Sequence, residues 1–138
     1  MKLINTLLTI LFISLLSSPS WSVTIDDLVK REGLYYKQFT DVPFTGKITG
    51  GQQVSFKNGV ADGAWVTYYE NGQLFFKGSY KNGKKEGAWV RYYDNGQLFY
   101  KGNFKNGKKE GAWVRNHSDG TLSKTLTGTY KDGGKISD

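Results

Sequence analysis

His117 is the only histidine in this chain of 138 residues, and Ser118 and Asp119 follow it directly. Serine, histidine and aspartate are the residue types of a nucleophile, its base and the base's orienter. A triad is a geometry of converging side chains, however, and adjacency within one turn does not provide it. With no second histidine there is no partner for acid–base exchange and no histidine-rich metal site. Cysteine is absent, so a thiolate metal site and a disulfide framework are both excluded. Acidic residues do not cluster in metal-binding order, and Asp26 and Asp27 stand where a helix would be capped. Glycine-rich stretches contain no Gly-x-x-x-x-Gly-Lys-Ser/Thr phosphate loop. The expectation is a protein that is not an enzyme and uses no cofactor.

What remains is chemistry for binding. The net charge is +7 and aromatic residues make up 15% of the chain, a balance that suits an anionic partner. The lysines group in sequence, with Lys81, Lys84 and Lys85 recurring as Lys105, Lys108 and Lys109. These six are the candidate contacts to an anion. Tyr68 and Phe75, with their counterparts Tyr92 and Phe99, form a candidate aromatic patch for sugars or for a partner's apolar surface.

The elements that position these residues follow from internal repetition. Gly63-Ala64-Trp65-Val66 recurs at 87–90 and at 111–114, each 24 residues on. Asn-Gly pairs stand at 58–59, 71–72, 82–83, 95–96 and 106–107, and Asp-Gly pairs follow at 119–120 and 132–133. Asn-Gly between apolar runs is the strongest short hairpin signal, because both positions of a type I′ turn need positive φ. The regular spacing predicts an all-β, elongated antiparallel meander of 24-residue hairpin repeats over residues 44–138. Because 24 is even, equivalent positions share a face. If Asn71-Gly72 and Asn82-Gly83 are both two-residue loops, one face carries Trp65, Tyr69, Leu74, Phe76, Tyr80, Trp89, Tyr93, Leu98, Tyr100, Phe104 and Trp113. The opposite face then carries Tyr68, Phe75, Tyr92 and Phe99, open to a ligand or covered by the N-terminal segment. Trp89 is expected to lie across Gly102. Alternate turns emerge at opposite strand ends, so the lysine-bearing turns form one row. Glu70, Asp94 and Asp119 mark the other.

The ends are atypical, as repeat arrays require. Thr24 and Asp27 resemble a capping box, and Gly33 a stop signal, so a short helix is expected over about 25–32. With a strand at 34–39 it makes an N-terminal cap, residues 23–43. Before it, Lys2, the apolar run from Leu7 to Leu16, and Ser20 and Ser22 ahead of Val23 read as a secretory signal peptide over residues 1–22. The expected location is periplasmic or secreted, which argues against nucleic acid as a partner. Acidic lipid headgroups, an anionic envelope component or a protein are the partners that remain.

The pattern Gly-Ala-Trp-Val-x-Tyr-Tyr-x-Asn-Gly-Gln-Leu, followed by Lys-Gly-x-aromatic-Lys-Asn-Gly-Lys-Lys-Glu, closely resembles the bacterial variant of the MORN repeat. Residues 63–86 and 87–110 carry it in full, 111–134 well and 44–62 in part. The resemblance implies hairpins stacked edge to edge into a curled sheet, and a binding or scaffold role. Proteins of this repeat are often named YwqK-like antitoxins, so neutralising a toxin partner is the alternative it implies. It brings no residue-level site.

Overall fold

The computed structural model describes residues 22–138. The leader expected over 1–22 lies outside the described residues, apart from Ser22. Strands β1 (Leu28–Arg31) and β2 (Leu34–Lys37) form a hairpin of their own. The other strands are β3 (Gly46–Ile48), β4 (Gln52–Lys57), β5 (Val60–Tyr68), β6 (Leu74–Lys81), β7 (Lys84–Tyr92), β8 (Leu98–Lys105), β9 (Lys108–Arg115), β10 (Gly128–Lys131) and β11 (Gly134–Ser137). They make one nine-stranded antiparallel sheet in strict chain order, the expected meander.

The N-terminal helix is shorter than expected. A 3₁₀ turn covers only Ile25–Asp27, and the chain then enters β1. Thr24 still donates to the Asp27 carboxylate, from its backbone N–H at 2.8 Å and from its hydroxyl at 3.0 Å. The stop signal has a different role. Glu32 and Gly33 take φ of +50° and +85° and turn β1 back onto β2, so the local pattern favours a hairpin over a second helical turn.

The two rows of turns differ in kind. Asn58, Asn82, Asn106 and Asp132 have φ near +50° and each precedes a positive-φ glycine, which is the type I′ geometry of a two-residue loop. In the other row only Gly72, Gly96 and Gly120 are positive. There the Gln73 N–H donates to Asn71 Oδ1, and the Gln97 N–H to Asn95 Oδ1, both at 3.0 Å. These Asx turns lengthen the loop, and a bulge follows in which Tyr68 pairs with Leu74 rather than Phe75. Tyr92 pairs with Leu98 in the same way.

A one-residue slip moves side chains to the other face. Leu74 and Leu98 therefore lie with Tyr68 and Tyr92, away from the tryptophans where they were expected. Phe75 and Phe99 leave the opposite face: Phe75 meets Tyr69 and Phe76, with ring centroids 4.7 and 5.3 Å apart, and Phe99 meets Tyr93 and Tyr100 at 4.7 and 5.4 Å.

The core occupies the N-terminal end of the tryptophan face. Ile48, Val54, Phe56 and Ala61 are buried there under Leu28, with Tyr35, Phe44, Trp65 and Tyr80 packed around them. The β1–β2 hairpin is thus the cover of the tryptophan face and not of the opposite one. Backbone bonds tie it down, Tyr35 N–H to Gly59 O and Phe44 N–H to Tyr35 O, both at 2.8 Å.

Beyond this cover the array continues on its own rings. Trp89 is 3% exposed, and a Cβ built on Gly78 would come within 2.2 Å of its indole. Trp113 lies on Gly102 in the same way, also 3% exposed. Each tryptophan therefore covers the glycine of the strand before it, and Gly102 belongs to Trp113 rather than to Trp89. Trp65 has Val54 at the equivalent place and cannot lie flat. Its indole N–H turns to Thr67 Oγ1 at 3.1 Å, whereas Trp89 and Trp113 donate to the backbone oxygens of Ser79 and Asn103.

Candidate functional site

Side chains recurring every 24 residues build the site. On β5 the relevant positions hold Ala61 and Thr67; on β7 they hold Lys85 and Arg91, and on β9 Lys109 and Arg115. Cations appear where the hairpin cover ends. Lys85 Nζ stands 4.3 Å from the Trp89 ring centroid and 4.9 Å from that of Phe104. Lys109 Nζ stands 4.6 Å from Trp113 and 4.5 Å from Tyr130. The guanidinium of Arg91 sits 4.5 Å from Phe75 and 4.9 Å from Phe99, and that of Arg115 sits 4.5 Å from Phe99. The bulge that carries Phe75 and Phe99 out of alternation makes this arginine–phenylalanine ladder possible.

Each of these contacts is attractive, roughly 0.5–1 kcal/mol at exposed sites. None of the four cations has a carboxylate partner among the described residues, where the ion pairs are Arg31–Asp41 and Lys135–Asp138. Arg91 Nε is buried without a hydrogen-bond partner. Burial lowers the pKa of both Lys85 and Lys109 from the ordinary lysine value, and the neighbouring charges of Arg91 and Arg115 lower them further. The protein holds positive charge here against its own electrostatics, and a bound anion would relieve that cost. Tyr100, Phe104, Trp113, Lys109 and Arg115 enclose a pocket of about 220 Å³.

The six candidate lysines fall into two sets. Lys85 and Lys109 lie half-buried on the rings, while Lys81, Lys84, Lys105 and Lys108 are exposed at the type I′ turns. Lys81 is directly opposite Lys84, and Lys105 opposite Lys108. The acids of this row face the backbone: Glu86 accepts from the Asn106 N–H at 2.8 Å and Glu110 from the Asp132 N–H at 3.1 Å.

The aromatic patch divides. Phe75 and Phe99 join the arginine ladder, and Tyr68 and Tyr92 remain on the opposite face beside Leu74 and Leu98. That face also carries an open apolar hollow of about 650 Å³, lined chiefly by small residues such as Ala88, Val90, Ala112 and Val114, with Lys77 and Lys101 at its border.

His117, Ser118 and Asp119 serve a turn. His117 holds the position of Tyr69 and Tyr93, and its backbone exchanges bonds with Thr121 and Gly120, as Tyr69 does with Gln73 and Gly72. Ser118 O accepts from Asn95 Nδ2, and Asp119 accepts from the Thr121 N–H and hydroxyl. Those bonds lower the Asp119 pKa.

Sequence reasoning singled out the six lysines as candidates and passed over Arg91 and Arg115. Their signal was present, since both replace Thr67 at the repeat spacing. What hid it was the bulge, because strict alternation without it places Phe75 and Phe99 on the opposite face from the arginines. No curated protein matches the chain in a sequence comparison. The family model described as MORN repeat variant matches residues 61–82 and 85–106, the β5–β6 and β7–β8 hairpins that carry Lys81, Lys85, Arg91 and Lys105, while Lys84 and the cations of β9 lie outside the matched stretches.

Proposed function

We propose that this protein is an exported, non-catalytic binding module for an anionic component of the cell envelope. The observation that carries this reading is the pairing of Lys81 with Lys84 and of Lys105 with Lys108. Like charges directly opposite on a hairpin destabilise it. Repeating that arrangement in successive units, with all four side chains exposed, sets up a positive row that a polyanion neutralises. The units stand two strands apart, about 10 Å, comparable with the Debye length of about 8 Å at physiological salt, so neighbouring pairs act on the same ligand.

Export rests on the leader pattern over 1–22 and the proposed cut before Val23. A chain beginning at Val23 keeps the contacts of that residue, whose backbone oxygen accepts from the Thr49 N–H at 2.9 Å and whose side chain packs on the core. Among the described residues no helix is long and apolar enough to cross a membrane.

The test combines location and charge. N-terminal sequencing of the native protein is expected to read from Val23, and recovery of the full-length chain would contradict export. Changing Lys81, Lys84, Lys105 and Lys108 to Glu is expected to abolish salt-sensitive retention on envelope material. Glu70→Lys with Asp94→Lys, in the other turn row, is expected to leave retention intact. Equal retention of both variants and the parent would reduce the lysine row to a solvated rim.

A further inference from the structure

The cations on the rings are arranged differently from those at the turns, and their arrangement narrows the ligand. Lys85 and Arg91 form one pair with Trp89 between them in sequence, and Lys109 and Arg115 repeat it around Trp113. Each pair flanks a band of rings, Phe76 and Trp89 stacked at 5.5 Å and 22°, then Tyr100, Phe104 and Trp113. The pairs are two strands apart, about 10 Å. A ligand lying across the strands therefore meets the half-buried rings of Phe76, Tyr100 and Phe104 and, once in each such interval, a lysine at one side of the band and an arginine at the other.

Few polyanions have that rhythm. A nucleic acid strand presents a phosphate every ~3.4 Å of axis, so most of its charges would lie over rings with no cation opposite. An extended acidic peptide presents same-side carboxylates every ~6.8 Å, two residues at ~3.4 Å each, out of step with the array. A lipid surface is flat and meets protruding groups such as the turn lysines, whereas these four cations lie down on the sheet face. A glycan of alternating acidic and neutral sugars spaces its carboxylates by one disaccharide, close to the spacing of the pairs. Its ring faces offer C–H surface that stacks on aromatic side chains. The pocket of about 220 Å³ beside Lys109 and Arg115 is small against the roughly 300–1,000 Å³ of drug-sized sites, as suits one sugar unit of a chain continuing past it.

We propose that the tryptophan face of β6 to β9 binds an acidic glycan running across the strands, with one carboxylate held at Lys85 and the next at Lys109, and with Arg91 and Arg115 lining the other side of the ring band. This rests on the anionic-partner reading above and specifies the partner and the surface.

The test is a binding series on the full chain at physiological salt. The probe is an oligosaccharide of alternating glucuronic acid and N-acetylglucosamine. Its comparators are a neutral N-acetylglucosamine oligomer, polyglutamate, an oligothymidylate and phosphatidylglycerol vesicles. The acidic oligosaccharide is expected to bind and to change tryptophan fluorescence, while the neutral one does not. Lys85→Met with Lys109→Met, and separately Arg91→Met with Arg115→Met, are each expected to weaken binding at least tenfold with the melting transition retained. No binding of the acidic oligosaccharide, or binding untouched by both double variants, overturns the proposal. If vesicles, polyglutamate or the oligothymidylate bind instead and lose affinity when the turn lysines become Glu, the glycan inference falls while the anionic-partner reading stands. If no anion binds, both fall.

Discussion

The tryptophan face is one surface with two kinds of cover. At its N-terminal end Ile48, Val54 and Phe56 lie under a separate hairpin together with Ala61, and the other repeat position on β5 is Thr67, which accepts from the Trp65 indole. From β7 onward the same positions become lysine and arginine laid over the rings. The first arrangement is ordinary burial, favourable in proportion to apolar area removed from water. The second buries its tryptophans without the separate hairpin and holds positive charge over them that no carboxylate pairs among the described residues. Local rules are broken at sites where something other than folding is being served, and the proposed binding surface rests on this difference between the two ends.

The largest effects should come from the rings common to both ends. Trp89→Ala and Trp113→Ala are each expected to cost about 3–5 kcal/mol in denaturant melts. The two should be close, because Tyr130 of β10 meets Trp113 at 6.2 Å and closes the array on its far side. Trp65→Ala should cost less, since Val54 holds its indole off the sheet and leaves it only partly buried. A Trp65 loss equal to the others would mean that the flat seat on glycine is not what stabilises this array.

Next comes removal of the cover. Leu28→Ala is expected to cost about 2 kcal/mol, with amide exchange rising in β3 and β4 and little changed in β8 and β9. Uniform loosening would show that the two ends are not separable. Smaller still is the loss of a tie between turns. Glu86→Ala removes the acceptor of the Asn106 N–H and should cost about 0.5–1.5 kcal/mol, with the faster exchange confined to that amide's turn.

Much of this fold was legible because turn chemistry and a 24-residue period specify a meander directly. The type I′ row was readable from Asn-Gly alone. The other row carries the same dipeptide but adds an Asx bond to Gln73 or Gln97 and a bulge, and the parity of Phe75 and Leu74 depends on that bond. The helix expected over 25–32 failed for a similar reason: Glu32-Gly33 is as good a hairpin turn as a helix stop, and only the pairing of Leu28 with Lys37 decides between them. As for the site, its lysines could be read from spacing. Their division into turn lysines and ring lysines depends on strand direction, and the arginine ladder on the bulge.

The comparison between the two ends is tested most directly by the stability of Lys85→Met with Lys109→Met as a function of pH. In the folded chain both lysines have lowered pKa values, first through burial and then through their arginine neighbours. Between those values and the unfolded lysine's, about 10.4, the unfolded chain binds more protons, so stability of the parent rises with pH across that window. The double variant should be at least as stable as the parent at neutral pH and should lose that part of the rise. If instead it loses stability on the scale of Leu28→Ala, the lysines are the cover of the open end, and the contrast between the two ends disappears.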